Sequence, residues 1–228
     1  MTYSFLNFHP TASKIPYHVG IIPDGTRRWA KKQGIPLIDA YKLAMNKISE
    51  YMEYIFSEST EIISIYFASV QNFSRSESDV SAFCYAEAYF CSDVLPEICD
   101  LYDTRVQIVG NRDIIPDYYL AAIQRIEQYT RDNTTTKLYL CVAYNPLEEI
   151  EHAFSIAKED ELFLKHLWVK EPLDMVIRTD ANLLSNFLPL QAGFARLYFI
   201  DKLFDETTMD DIEKIFEAFK SIKRVYGT

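Results

Sequence analysis

Pro23-Asp24-Gly25-Thr26-Arg27-Arg28-Trp29 puts a carboxylate, a glycine and two adjacent guanidinium groups into one short segment, with Lys31 and Lys32 close behind. Arginine forks match phosphate oxygens in pairs, and glycine lets the backbone approach a ligand closely. The chemistry that suits this set is the gripping of a phosphate or diphosphate by Arg27, Arg28 and the amides of Thr26 to Arg28. Asp24 is the odd member, because a carboxylate repels phosphate unless a cation, a proton or neighbouring arginines intervene. It is therefore a candidate metal ligand or proton-handling group. A plain turn residue at Asp24 and a solvated face for the basic side chains are the alternatives.

The elements around this turn decide whether it is a site. His18 to Ile22 is a short apolar run that reads as a buried strand, and Thr26 is positioned to cap a helix stopped by Gly34-Ile35-Pro36. Further helices are predicted over 37–56, 77–101, 116–131, 147–158 and 209–223. Strands are predicted over 61–68, 105–109, 137–143, 174–177 and 197–200. This alternation predicts an α/β fold, a largely parallel sheet flanked by helices on both faces. Such sheets bind ligands at the carboxyl ends of their strands, where helix N-termini present unpaired amides to anions.

With 228 residues, 49% of them hydrophobic, the chain suits one large core better than two. The organisation expected is an extension over 1–17 and a single domain over 18–228. A net charge of −10 argues against general nucleic-acid binding and requires any anion to be held by a local basic cluster. No stretch has the length and apolarity of a membrane span, and residues 1–17 contain no continuous apolar core, so the expectation is a cytoplasmic protein with at most peripheral membrane contact. Cys84, Cys91, Cys99 and Cys141 lack metal-ligand spacing and read as buried thiols, and His9, His152 and His166 as surface or packing residues.

His18 to Ala30 resembles the first motif of the cis-prenyltransferases, the family of the undecaprenyl diphosphate synthases. The resemblance continues through Ile65 to Arg75, Val176 to Thr179, Ser185 to Leu188 and Leu197 to Phe199. The Pro-Asp-Gly-x-Arg-Arg-Trp version is also similar to that of cyclolavandulyl diphosphate synthase, a member that couples two allylic diphosphates irregularly and closes a ring. The resemblance implies the cis-prenyltransferase fold and catalytic roles for Asp24, Arg28 and Asn72 on an allylic diphosphate. It implies substrate contacts by Gly25, Thr26, Arg27, Trp29, Ser69, Phe73, Arg75, Arg178 and Ser185. It further implies a homodimer built through the region of Leu197 to Ile200, and Mg²⁺ held by Asp24.

Departures from the family pattern alter the expected activity. The second diphosphate site of the family uses Arg-Thr-Gly-Gly-x-x-Arg-x-Ser. This chain reads Arg178-Thr179-Asp180-Ala181-Asn182-Leu183-Leu184-Ser185, one residue shorter and without the second arginine. Losing a charge-assisted contact of that kind weakens binding by about 1.5–3 kcal/mol. The family's metal-binding glutamate is Arg196 here, so a guanidinium that supplies positive charge to the diphosphate, or pairs with a surface carboxylate, stands where a magnesium ligand is expected. Tyr41, Gln71 and Phe73 also replace family residues, and Arg224 is one place early in the C-terminal element. Phe67, Phe83, Tyr85, Tyr89 and Phe90 are candidates to fill the tunnel used for long chains, or simply core. The expected function is ionisation of a short allylic diphosphate leading to irregular coupling or cyclisation. Ordinary elongation with isopentenyl diphosphate and a catalytically silent partner subunit are the alternatives.

Overall fold

Runs such as His18–Ile22 and Ile62–Tyr66 carry apolar residues at nearly every position, and a strand of that kind is stable only when both of its faces are covered. A computed structural model describes residues 14–159 and 161–221, and these strands lie at its centre. β1 (His18–Ile22), β2 (Ile62–Tyr66) and β5 (Met175–Thr179) are buried at every residue. With β3 (Thr104–Val109), β4 (Thr136–Cys141) and β6 (Arg196–Ile200) they form a six-stranded sheet in the order β3-β4-β2-β1-β5-β6. Every pairing is parallel.

Helices α1 (Thr26–Gln33), α2 (Leu37–Ser57), α3 (Glu77–Tyr89), α4 (Leu95–Tyr102), α5 (Asp117–Tyr129), α6 (Pro146–Ile156) and α7 (Met209–Ser221) cover the sheet. The larger core joins Ile48, Met52 and Ile55 of α2 to Phe83, Leu95, Ile123 and Phe216 across one sheet face. A smaller one joins Tyr66, Tyr139, Tyr144, Val169 and Phe187 on the other. All four cysteines are buried and unpaired. His152 packs against Trp168 at a ring distance of 5.6 Å, and His166 faces Glu161 at 3.0 Å.

Three sequence expectations need correction. The helix expected over 77–101 is α3, then a π-helical segment over Phe90–Val94, then α4. Pro96 has no N–H to give and its ring crowds the carbonyl a turn earlier, and a wider turn just ahead of it relieves both problems. Thr26 does not cap α1. Gly25 occupies the N-cap with φ of 119°, and Thr26 is the first helical residue and is buried. β5 runs on to Thr179, so Arg178 stands inside a strand. Residues 1–13, including His9 and most of the expected N-terminal extension, and residues 222–228, including Arg224, lie outside the described residues.

Candidate active site

The chain leaves β1 toward β2 on one side of the sheet, while β5 and β6 lie on the other. The carboxyl ends of β1 and β5 therefore flank a topological switch point, the place where an open parallel sheet opens a crevice. A cavity of about 830 Å³ lies at these strand ends. It is lined by Asp24, Gly25, Thr26, Arg27 and Arg28 after β1, by Ser69, Asn72 and Arg75 after β2, and by Arg178 and Ser185 at β5 and just beyond. Residues up to 164 positions apart in sequence, from Ile22 to Asn186, thus converge on one space. Tyr41, Tyr66, Phe67 and Asn186 also line it.

Gly25 explains how α1 faces this space. An N-cap side chain would normally satisfy the first amides of a helix, but a glycine cap has none, and no side-chain cap bond is made here. The opening amides of α1 are left to a ligand in the cavity, where the helix dipole also favours negative charge. Thr179 pins the turn from the neighbouring strand. The Asp24 amide donates to Thr179 Oγ1 at 2.8 Å, and that hydroxyl donates to the Asp24 carbonyl at 2.7 Å. The sequence reading overlooked this clamp, because a threonine at the end of a strand carries no signal until its neighbour strand is known.

A charge network runs through the turn. Arg178, only 4% exposed, donates from one terminal nitrogen to Asp24 Oδ2 at 2.8 Å and from the other to Ser185 Oγ at 2.7 Å. Its buried Nε–H has no partner among the described residues. Arg28 donates to Asp24 Oδ1 at 3.0 Å and also pairs with Asp180. Asp24 is therefore held by two guanidinium groups, which removes the repulsion it would otherwise exert on a phosphate. Arg28 and Arg27 remain more than half exposed, Arg27 pairing with Asp79 at 3.1 Å.

On the β2 side, Asn72 Oδ1 accepts from the Ser69 amide at 2.7 Å and from the Ser69 hydroxyl at 2.8 Å. Both bonds use the amide oxygen, so the NH2 donors are not committed to Ser69. Arg75 extends the basic wall. Tyr66 donates to the Ser185 carbonyl at 3.3 Å, and burial raises its phenol to about 12, so it stays a donor at neutral pH.

Trp29, Phe73 and Arg196 do not line the cavity. Trp29 follows the turn on α1 but is half-buried away from that space. Phe73 packs edge-on against Phe83 at 5.3 Å. Arg196 pairs in register with Met175 and so stands three residues short of the level of Arg178, roughly 10 Å back along the sheet. Within one chain its backbone therefore lies well back from the turn that carries Asp24. Of the tunnel candidates, Phe67 lines the cavity and Phe83 and Phe90 are buried, whereas Tyr85 and Tyr89 are exposed.

A doubly covered parallel sheet, a helix N-terminus without a side-chain cap and converging arginines define an α/β protein with an anion-binding crevice at its strand ends. The sequence model of the putative undecaprenyl diphosphate synthase family matches residues 22–227, and the chain belongs to that family, whose members are prenyltransferases. It is 29% identical to the isoprenyl transferase of Streptococcus pneumoniae strain R6 over 94% of this chain and 93% of the relative. It is 30% identical to the tritrans,polycis-undecaprenyl-diphosphate synthase (geranylgeranyl-diphosphate specific) of Pyrococcus abyssi, over 95% and 88%. Among solved structures, lavandulyl diphosphate synthase from Lavandula x intermedia, in complex with dimethylallyl diphosphate, superposes with a TM-score of 0.87 at 26% identity. That match covers 94% of this chain and 99% of the other. A probable undecaprenyl diphosphate synthase from Campylobacter jejuni shares the fold at a TM-score of 0.74 and 22% identity, over 93% and 99%.

Proposed function

We propose that residues 18–228 act as one domain that binds a short allylic prenyl diphosphate in this cavity and ionises it, and that the allylic cation goes on to irregular coupling or cyclisation. One observation carries the reading: the two halves of the cavity differ in state. On the β1 and β2 side, Arg27, Arg28, Arg75, Asn72 and the α1 amides face the open space. On the β5 side, Arg178 is buried and committed to Asp24 and Ser185, no second arginine follows it, and Asp180 presents a carboxylate to Arg28. A homoallylic diphosphate binds poorly to such a half-site. The structural similarity to lavandulyl diphosphate synthase supports the same reading.

The chemistry divides accordingly. The carbon–oxygen bond to the diphosphate breaks and its electron pair leaves with the phosphate. Arg27, Arg28, Arg75 and the α1 amides are placed to stabilise that departing charge. The rings of Tyr41, Tyr66 and Phe67, which line the cavity, are placed to shelter the cation. Asp24 orients the two arginines. A magnesium ion would take Asp24 and diphosphate oxygens as ligands and would supply further charge neutralisation. The donor set fits it weakly, because both Asp24 oxygens are already engaged by guanidinium groups. Ordinary elongation is the second reading, supported by the isoprenyl transferase relatives.

Assembly belongs to the same proposal. The edge strand β6 exposes Leu197 and Phe199, with Phe194 74% exposed just before it. An apolar edge of this kind suits a second copy of the chain. No helix among the described residues is long and apolar enough to cross a membrane.

Incubation with dimethylallyl, geranyl and farnesyl diphosphates, each with and without isopentenyl diphosphate and magnesium, tests the reading. Product from an allylic diphosphate alone is expected. Product strictly dependent on isopentenyl diphosphate supports elongation instead, and inertness with every substrate defeats both. Arg28→Ala is the matching variant, expected to cut kcat/KM by about a hundredfold, the usual scale for one lost transition-state donor. Asp24→Ala is a poorer probe, since it leaves Arg178 buried without a counter-charge and confounds activity with stability.

A further inference from the structure

The amino ends of the strands form the pole of the sheet opposite the diphosphate turn, and a second hollow of about 660 Å³ opens there. Thr60 and Glu61 line it just ahead of β2, and Asp103 just ahead of β3. Phe56 near the end of α2 and Asp100 and Leu101 near the end of α4 stand beside them. No lysine, arginine or histidine lines this hollow among the described residues. Its volume is in the range of small-molecule sites.

Two independent observations define what it would hold. The first is charge. Glu61, Asp100 and Asp103 are joined by the C-terminal ends of α2 and α4, whose dipoles also favour a cation. Asp103 Oδ2 accepts from the Thr135 hydroxyl at 2.6 Å and from the amides of Thr134 and Thr135 at 3.1 and 2.9 Å, and these bonds hold its carboxyl below the ordinary range. Among the described residues no three acidic, histidine or cysteine side chains are grouped to hold a metal ion. The carboxylates are thus spread in a way that suits an extended cation rather than a point charge. The second observation is Thr60. It is 1% exposed, and its hydroxyl has no hydrogen-bond partner among the described residues. A buried hydroxyl in that state calls for a partner, and the hollow it lines is one that favours donors.

We infer that this hollow is a second binding site and that it takes an aliphatic polyamine. The ammonium groups pair with Glu61, Asp100 and Asp103, and one of them gives the Thr60 hydroxyl the donor it lacks. The methylene stem lies along Leu101, which is 65% exposed, and Phe56 beside it. A stem of that kind needs apolar surface between charges, and the hollow supplies both. The inference is independent of the diphosphate reading, because the two sites lie at opposite ends of the strands.

Spermidine is titrated into the full chain by calorimetry at fixed ionic strength. One saturable site is expected, and magnesium chloride at the same ionic strength should not displace the amine. Glu61→Gln should weaken binding about fivefold, the scale of one exposed charge pair, whereas Asp210→Asn on the exposed face of α7 should leave it unchanged. Thr60→Val keeps the size and the net charge and removes only the hydroxyl. It should weaken binding about threefold or more, without lowering the urea midpoint, because no bond within the protein is lost. Thr60→Ala supplies the affinity should the valine variant fail to fold. Hydrogen exchange with spermidine bound should slow at residues 58–61 and 100–104 and stay unchanged at 24–28. Absence of a saturable site overturns the inference, as does displacement by magnesium. Equal losses in Glu61→Gln and Asp210→Asn would mean attraction to the net charge of the chain, and they overturn it too. So does full affinity in a folded Thr60 variant, or a lowered midpoint in Thr60→Val, which would show that the hydroxyl already has a partner.

Discussion

Asp180 competes for Arg28 with whatever anion enters the cavity. Its backbone is left-handed, with φ of 68°, and its side chain is mostly buried against the exposed Arg28 guanidinium. An anion that binds Arg28 therefore shares the guanidinium with two carboxylates, both held by one of its terminal nitrogens. Asp180→Ala is expected to tighten inorganic pyrophosphate binding by about three- to tenfold, a modest gain because the arginine is already solvated. Titration calorimetry reads this directly, and unchanged affinity would show that Arg28 is not the limiting contact. Asp180 also marks where the sequence was hard to read. Asn72 entered only through the resemblance to the family's second motif, whereas that Arg27 and Arg28 offer one anion site was legible from residue type and spacing. The pairing of Arg178 with Asp24 was not, because those residues lie 154 positions apart and become neighbours only when β1 and β5 pair.

α1 is the element on which the site depends, and Gly25 is what lets it begin where it does. A β-carbon at this position would lie 2.9 Å from Leu203 Cδ2 and 3.0 Å from Leu203 Cα, and the backbone angle is one that side chains disfavour. The loop carrying Leu203 is itself fastened to the turn, because the Phe204 amide donates to the Asp24 carbonyl at 2.9 Å. Gly25→Ala should therefore lower stability by about 1–3 kcal/mol and weaken pyrophosphate binding together, as the helix start is pushed off the cavity. Denaturant midpoints alongside calorimetry decide this, and a lower midpoint with intact binding would separate the turn from the site. The elements themselves were legible where periodicity was strong, as in α2, α5 and the central strands. Boundaries were lost where a backbone effect acts without a side-chain signature. Gly25 took the cap from Thr26, and Pro96 turned an expected single helix into α3, a π segment and α4.

At the scale of the whole molecule, two buried titratable groups on opposite sides of the chemistry shape stability against pH. His18 is enclosed at the start of β1, bonded to Ser64 Oγ at 2.7 Å and to the Glu171 carbonyl at 3.1 Å, and burial lowers it from 6.5 to about 4. It binds fewer protons folded than unfolded, so its contribution is complete above pH 6.5 and is lost as pH falls toward 4. Glu87 is raised by burial from 4.5 to about 8 and binds more protons folded, so its contribution is complete below pH 4.5 and is lost as pH rises toward 8. Between 4.5 and 6.5 the two slopes oppose and nearly cancel. Above 6.5 only Glu87 remains of the pair, and one proton corresponds to about 1.4 kcal/mol per pH unit. Glu149 and Asp205 are raised by burial as well and act in the same sense as Glu87. The Glu87 share is therefore isolated by substitution. Urea midpoints taken at pH 6.5 and 8.0 should fall in the wild type and fall clearly less in Glu87→Gln, whose amide does not titrate. An equal fall in both would mean that the acid is hydrated in the folded protein and contributes nothing to this slope.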